Sequence, residues 1–269
     1  MMRKSIFVFL KYFHYFSTIP VLLLLPFSAS ILITKSFPTS SKFGLFLTNS
    51  FSDSILITPL ALSLFLIAKA YVIQALNHHH HHHGPSLPPF SSCLPLYKPL
   101  LQTHLCNMVL IRITTSMVFA IFVLITASGF LHGLLQLVTR IVLYAFVTNI
   151  VVLCNLGLVV AGVENCTGYR AIYKAYLVRR SGRNSAALFL LAIPTQLGLA
   201  SIETLFWYRL VRAYDQLGGR LSSGLALEGL LIAYLYSIVI VLDTIACWCF
   251  SKAALQIVHT KCLQVLVLR

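Results

Sequence analysis

Between Ile141 and Val163 the chain runs for 23 residues without a single charged side chain. In hydrocarbon a backbone must satisfy its own N–H and C=O groups, and a helix of about 20 mostly apolar residues crosses a bilayer. Five further stretches have the same character, so the sequence predicts spans at Phe13–Thr34, Ser54–Leu76, Asn107–Ser128, Ile141–Val163, Asn184–Tyr208 and Gly229–Phe250. Of the 269 residues 58% are apolar and 10% charged. A soluble domain carries about 25% charged residues, so this chain lacks the polar coat water requires. The expected fold is all-α, a polytopic membrane helix bundle of about six transmembrane helices forming one membrane domain.

The first span follows Arg3, Lys4 and Lys11. Ser28-Ala29-Ser30 resembles a signal-peptidase site, which keeps a cleaved signal as an alternative. The apolar stretch continues through Ile31-Leu32-Ile33 and the preceding basic region is long, features of an uncleaved helix. Lys69 lies in the last third of the second span, near enough to its end to snorkel. Residues 77–99 read as a His/Pro-rich loop, since prolines at the density of Pro85, Pro88 and Pro89 do not sustain a helix. In Glu164–Arg183, Tyr169, Ile172, Tyr173, Tyr176 and Leu177 recur on one helical face, with Gly182 as a stop. That pattern predicts an interfacial amphipathic helix over 164–182.

Charge fixes the expected orientation. Lys and Arg number 20 against 6 Asp and Glu, and the basic residues fall mostly between apolar runs. That distribution points to a membrane surface and not to nucleic acid, with anionic headgroups expected at Arg170, Lys174, Arg179 and Arg180. The N-terminus, the His/Pro loop, Glu164–Arg183 and the C-terminus share twelve basic residues, and the opposite side has six. The positive-inside rule then places both termini in the cytosol. The one N-x-S/T sequon, Asn165-Cys166-Thr167, is cytosolic and unmodified in that topology.

Few residues carry chemistry. Intramembrane charge marks the candidates, chiefly Asp243 in the sixth span, with Glu164 at the end of the fourth and Glu203 late in the fifth. Arg112 and Lys69 are the partners of opposite sign. Such groups serve either a proton, cation or polar-substrate path, or interhelical ion pairs. The run His78–His83 could bind soft divalent metals, but no span offers a further His or carboxylate at helical spacing to His14, His132 or His259. No glycine-rich phosphate loop, nucleophile elbow or zinc-protease helix occurs, and seven cysteines form no CxxC pair. The sequence therefore predicts no enzyme activity, no cofactor and no metal site. A structural or interaction role is expected, with a small-solute or ion carrier as the alternative and metal handling through the histidine run behind it.

Two stretches, FLKYFHYFSTIPVLLLLPFSASILI (Phe9–Ile33) and VVAGVENCTGYRAIYKAYLVRRSGRNSAALFLLA (Val159–Ala192), resemble a plant family of six-span proteins sometimes labelled polyadenylate-binding-protein-binding proteins. The pattern carrying the likeness is Glu164, Gly168, Ala171 and Ile172, then Arg179, Arg180 and Gly182, with Val241-Leu242-Asp243-Thr244 in the sixth span. The resemblance implies a multi-pass protein without an assigned activity. Physically, Glu164 could cap the first amides of the following helix, and Gly168 would allow close backbone approach at the turn.

Overall fold

The computed structural model describes residues 2–11, 13–36, 42–81, 94–127, 134–181, 185–216 and 222–267. Every regular element among them is helical, so the fold is all-α. In chain order the helices are α1 (Met2–Lys11), α2 (Phe13–Ser36), α3 (Lys42–His81), α4 (Leu94–Ala127), α5 (Leu134–Glu164), α6 (Tyr169–Ser181) and α7 (Ser185–Phe206). A π-helical turn (Trp207–Val211), α8 (Arg212–Gln216) and α9 (Ser223–Val267) follow. Five stretches among the described residues are long and apolar enough to cross a membrane: Tyr15–Thr34, Pro59–His78, Leu94–Ala127, Leu137–Glu164 and Ser223–Ala253. The chain is thus a helical protein of multi-pass membrane character. Helix α7 stands where the sequence predicts the fifth of six spans.

Several helices outrun their predicted spans. α4 begins at Leu94 and carries Pro99 within it, and α3 continues through His81. The expected loop over 77–99 is therefore shorter, and its middle, with the last two histidines, lies outside the described residues. Pro95 stands in the first turn, where the N–H it lacks would have no intrahelical acceptor, and Pro99, one turn on, removes a single backbone hydrogen bond without ending α4. Arg209 Nε donates to Glu228 Oε1 at 2.7 Å, joining the π-helical turn to α9.

The chain divides into two compact units. The first comprises Met1–Tyr97 and Leu190–Cys249. Its core is made of Phe16, Leu24 and Leu32 from α2, Leu66 and Ile73 from α3, and Val241 and Ile245 from α9. Tyr15 stacks on Tyr71 and Phe27 on Phe65, so α2 and α3 run antiparallel. Polar contacts pin the helices within this apolar packing. Ser28 and Ser237 hydroxyls meet at 2.8 Å between α2 and α9, and Trp248 Nε1 donates to Asn77 Oδ1 at 3.0 Å between α9 and α3.

The second unit comprises Lys98–Phe189 and Phe250–Arg269. Here α4 and α5 are antiparallel, tied by Asn107 Nδ2 donating to the Cys154 carbonyl at 2.9 Å. The chain leaves α5 through a turn with positive φ at Asn165 and Gly168, and α6 folds back along α5. Ala171, Ala175 and Val178 form the buried face of α6, and Ile172 seats against Gly157.

Gly168 makes that turn possible. Its φ is +56°, its N–H donates to Thr103 Oγ1 at 3.0 Å, and its carbonyl accepts from the amides of Ala171 and Ile172. A Cβ there would stand 3.4 Å from Cys106 Sγ. Left-handed backbone costs an L-residue roughly 1–2 kcal/mol, so Gly168→Ala should destabilise the protein by about that amount in a denaturant titration of the micelle-bound chain. Gly157→Ala should be tolerated in the same measurement, because its Cβ would meet Ile172 at an ordinary 3.5 Å and alanine favours the helix.

Candidate functional site

A charged group deep in an apolar bundle needs a counter-charge and hydrogen-bond partners, because isolated burial of a carboxylate or ammonium is prohibitive. Asp243 on α9 is 9% exposed and Lys69 on α3 is 3% exposed. The two charges lie within electrostatic reach of one another, inside the first unit. A third helix completes the arrangement, as Thr195 Oγ1 on α7 donates to Asp243 Oδ1 at 3.0 Å. Thr195 follows Pro194 directly, and is itself buried. The Lys69 ammonium also sits 4.9 Å from the centre of the Phe65 ring, one turn back on α3, a cation–π contact.

Local sequence explains each position. Lys69 sits in a stretch of α3 that is buried nearly throughout, with Leu66, Ala68, Ala70, Val72 and Ile73 all enclosed. Asp243 and Thr244 share the buried side of α9 with Val241 and Ile245, and Thr244 returns its hydroxyl to the Ile240 carbonyl. The snorkelling expected of Lys69 does not occur, because its span is packed against the rest of the bundle and a counter-charge lies at hand. Of the two basic candidates, the structure brings Lys69 to Asp243.

The other candidates do not join this cluster. Arg112 on α4 is exposed, with no hydrogen-bond or ion-pair partner among the described residues. Glu164 gives Oε2 to Lys174 Nζ at 2.5 Å, so its carboxylate serves a side chain on α6 in place of that helix's first amides. Gly168 is a turn residue bonded to Thr103. Glu203 accepts from the Tyr236 hydroxyl at 3.1 Å.

The hydrogen bond to Glu164 holds the Lys174 ammonium above the usual lysine value. A raised lysine pKa stabilises the fold fully below the unfolded value and is lost as pH rises through the folded one, so the pair persists through the neutral range. With Lys174 half exposed, its contribution is at most about 1 kcal/mol.

The structure gives what the spacing of the amphipathic helix left open, which face meets the protein. Tyr169, Tyr173, Tyr176 and Leu177 are exposed, and the small residues of the opposite side pack on α5. Two alanines permit closer approach than the aromatic stripe would, so α6 docks by its small face. Of its four basic residues, Lys174 is engaged by Glu164 and Arg179 donates from Nη2 to Asn149 Oδ1 at 2.6 Å. Arg170 and Arg180 are exposed. Thr195 is the contributor that sequence reasoning missed, since a threonine beside a helical proline carries no signal of a partner 48 positions away.

Among the described residues no cluster of three or more His, Cys, Asp or Glu side chains could hold a metal ion. No protein-family model, curated protein or solved structure matches this chain.

Removing one member of a buried pair strands the other, at a typical cost of 3–5 kcal/mol, whereas replacing both by apolar residues is often neutral. Lys69→Met and Asp243→Leu should each destabilise the protein, by up to that much. The double variant should recover most of the loss, read from denaturant titrations of all four proteins as a double-mutant cycle.

Proposed function

We propose that the protein is a structural or interaction component of a membrane, and neither an enzyme nor a carrier. The observation that carries this reading is the state of its acidic side chains. The four that the structure describes are each engaged within the chain: Glu164 by Lys174, Glu203 by Tyr236, Glu228 by Arg209, and Asp243 by Thr195 with Lys69 nearby. A cation or proton carrier needs a carboxylate that can exchange partners. Here the intramembrane carboxylate has a counter-charge on one helix and a hydroxyl on another, an arrangement suited to fixing the order of helices.

In this reading both termini face the cytosol and the chain crosses the membrane six times. The basic loops then meet the anionic inner leaflet, with Arg170 and Arg180 as the outward members of α6 and Lys174 and Arg179 holding the helix to α5. The likeness to the plant six-span family fits such a protein.

Reconstitution separates the readings. Vesicles containing the protein should pass protons, alkali cations and small organic ions no faster than empty vesicles, and Asp243→Asn should lower thermal stability without changing that background. A flux present in the parent protein and abolished by Asp243→Asn would establish the carrier instead. For orientation, Asn165 should remain unglycosylated in a eukaryotic microsome assay, and glycan there would reverse the topology.

A further inference from the structure

Two independent contacts fix the register of α4 against α5. Asn107 reaches the Cys154 carbonyl, and the Arg140 guanidinium lies 5.1 Å from the centre of the Phe122 ring. Counting along both helices from either contact gives the same antiparallel alignment to within one residue. Arg112, five residues past Asn107, therefore stands level with Asn149, five residues before Cys154. Asn149 is the residue that receives Arg179 from α6, so Arg112 and Arg179 share one height.

That height divides the unit. Toward the α6 turn, α4 and α5 are buried through Leu100, Thr103, Leu156 and Val160. Away from it, no residue of Met108–Ala127 or of 137–150 is buried, and Met117, Phe119, Leu124, Val142 and Phe146 are open. Met108–Ala127 is 20 residues long, which at 1.5 Å per residue matches the roughly 30 Å hydrocarbon thickness of a bilayer.

Only two charged residues lie in these bare stretches, Arg112 and Arg140. Arg112 is four residues inside one end of Met108–Ala127, and Arg140 is level with Phe122, five residues inside the other. Side chains lean toward the N-terminus of their own helix. Because the helices are antiparallel, Arg112 leans away from the α4–α5 connection and Arg140 leans toward it. Each arginine thus inclines to its nearer end of the hairpin. Neither has a carboxylate partner among the described residues, and the described carboxylates are engaged elsewhere.

We infer that Met108–Ala127 crosses the bilayer with 137–150 antiparallel beside it as a lipid-facing hairpin, Arg112 and Arg140 taking phospholipid phosphates of opposite leaflets. Arginine suits this task because its planar fork binds phosphate bidentately while its stem stays in hydrocarbon. The two residues fix the height of the hairpin, and Arg179 adds its charge at the level of Arg112. The inference rests on the membrane reading alone and is indifferent to whether the protein also carries a solute.

The test uses the full chain reconstituted in phosphatidylglycerol vesicles, released gently and weighed by native mass spectrometry. Arg112→Gln and Arg140→Gln should each retain one phospholipid fewer, and Arg112→Lys and Arg140→Lys should retain the parent number. Independently, a benzoylphenylalanine photoprobe at Met117 or Leu124, with both arginines intact, should form adducts of lipid mass. Unchanged lipid counts in both glutamine variants would overturn the inference. So would photo-adducts to protein in place of lipid, which would mark the face as a helix-docking surface with a carboxylate-bearing partner.

Discussion

Hydrocarbon gives a charged side chain no solvent, so a bundle that encloses one must bring its counter-charge from another helix. Lys69 and Asp243 impose that requirement on α3 and α9, and the hydrogen bond from Thr195 extends it to α7. Apolar side chains alone would let helices of such uniform character slide or rotate past one another, since lipid tails are as apolar as leucine. A directional contact removes that freedom. The first unit has three further contacts of this kind, Ser28 with Ser237, Asn77 with Trp248, and Glu203 with Tyr236. On α9 the polar positions advance in pairs, Tyr236 and Ser237, then Asp243 and Thr244. The spacing near seven residues, about two helical turns, keeps them on one side of the helix.

The second unit uses a different device. Its turn depends on backbone conformation, with Gly168 in left-handed geometry so that its amide can reach Thr103 on α4 while its carbonyl starts α6. Small residues then let α6 lie close to α5, with Gly157 opposite Ile172 and Ala171 and Ala175 buried. The ion pair of Glu164 with Lys174 sits at the exposed edge of this contact. Docking of α6 therefore rests first on close packing, with Lys174 and Arg179 adding polar contacts to α5.

What could be read from the sequence followed from physics that acts along the chain. Long uncharged runs admit no soluble alternative, so the helical membrane character was legible from Ile141–Val163 and its counterparts. Asp243 stood out for the same reason, as a carboxylate among Val241, Leu242 and Ile245. The rest depends on which helices become neighbours. Lys69 and Arg112 looked equivalent as partners because each is one basic residue near a span end, and only packing separates the buried lysine from the exposed arginine. The structure carries α3 on to His81 and starts α4 at Leu94, because histidine does not end a helix and the first turn, which holds Pro95, accepts proline.

The aromatic stripe of α6 is instructive about periodicity. Tyr169, Tyr173, Tyr176 and Leu177 do form one face, as their spacing requires, yet periodicity says only that a face exists and not what covers it. In a soluble protein that face would be drawn into the core by the hydrophobic effect. Beside a membrane the driving force is weaker, because lipid can cover apolar surface as well as protein can, and the small residues win the protein contact through close approach. Tyrosines left outward keep an apolar ring and a polar hydroxyl, a combination favoured where a bilayer meets water. The same physics leaves Met108–Ala127 bare along its whole length while the neighbouring turn is packed. On the inference drawn above, exposed apolar surface in this chain records where lipid substitutes for protein, and Arg112 and Arg140 mark how far the lipid extends.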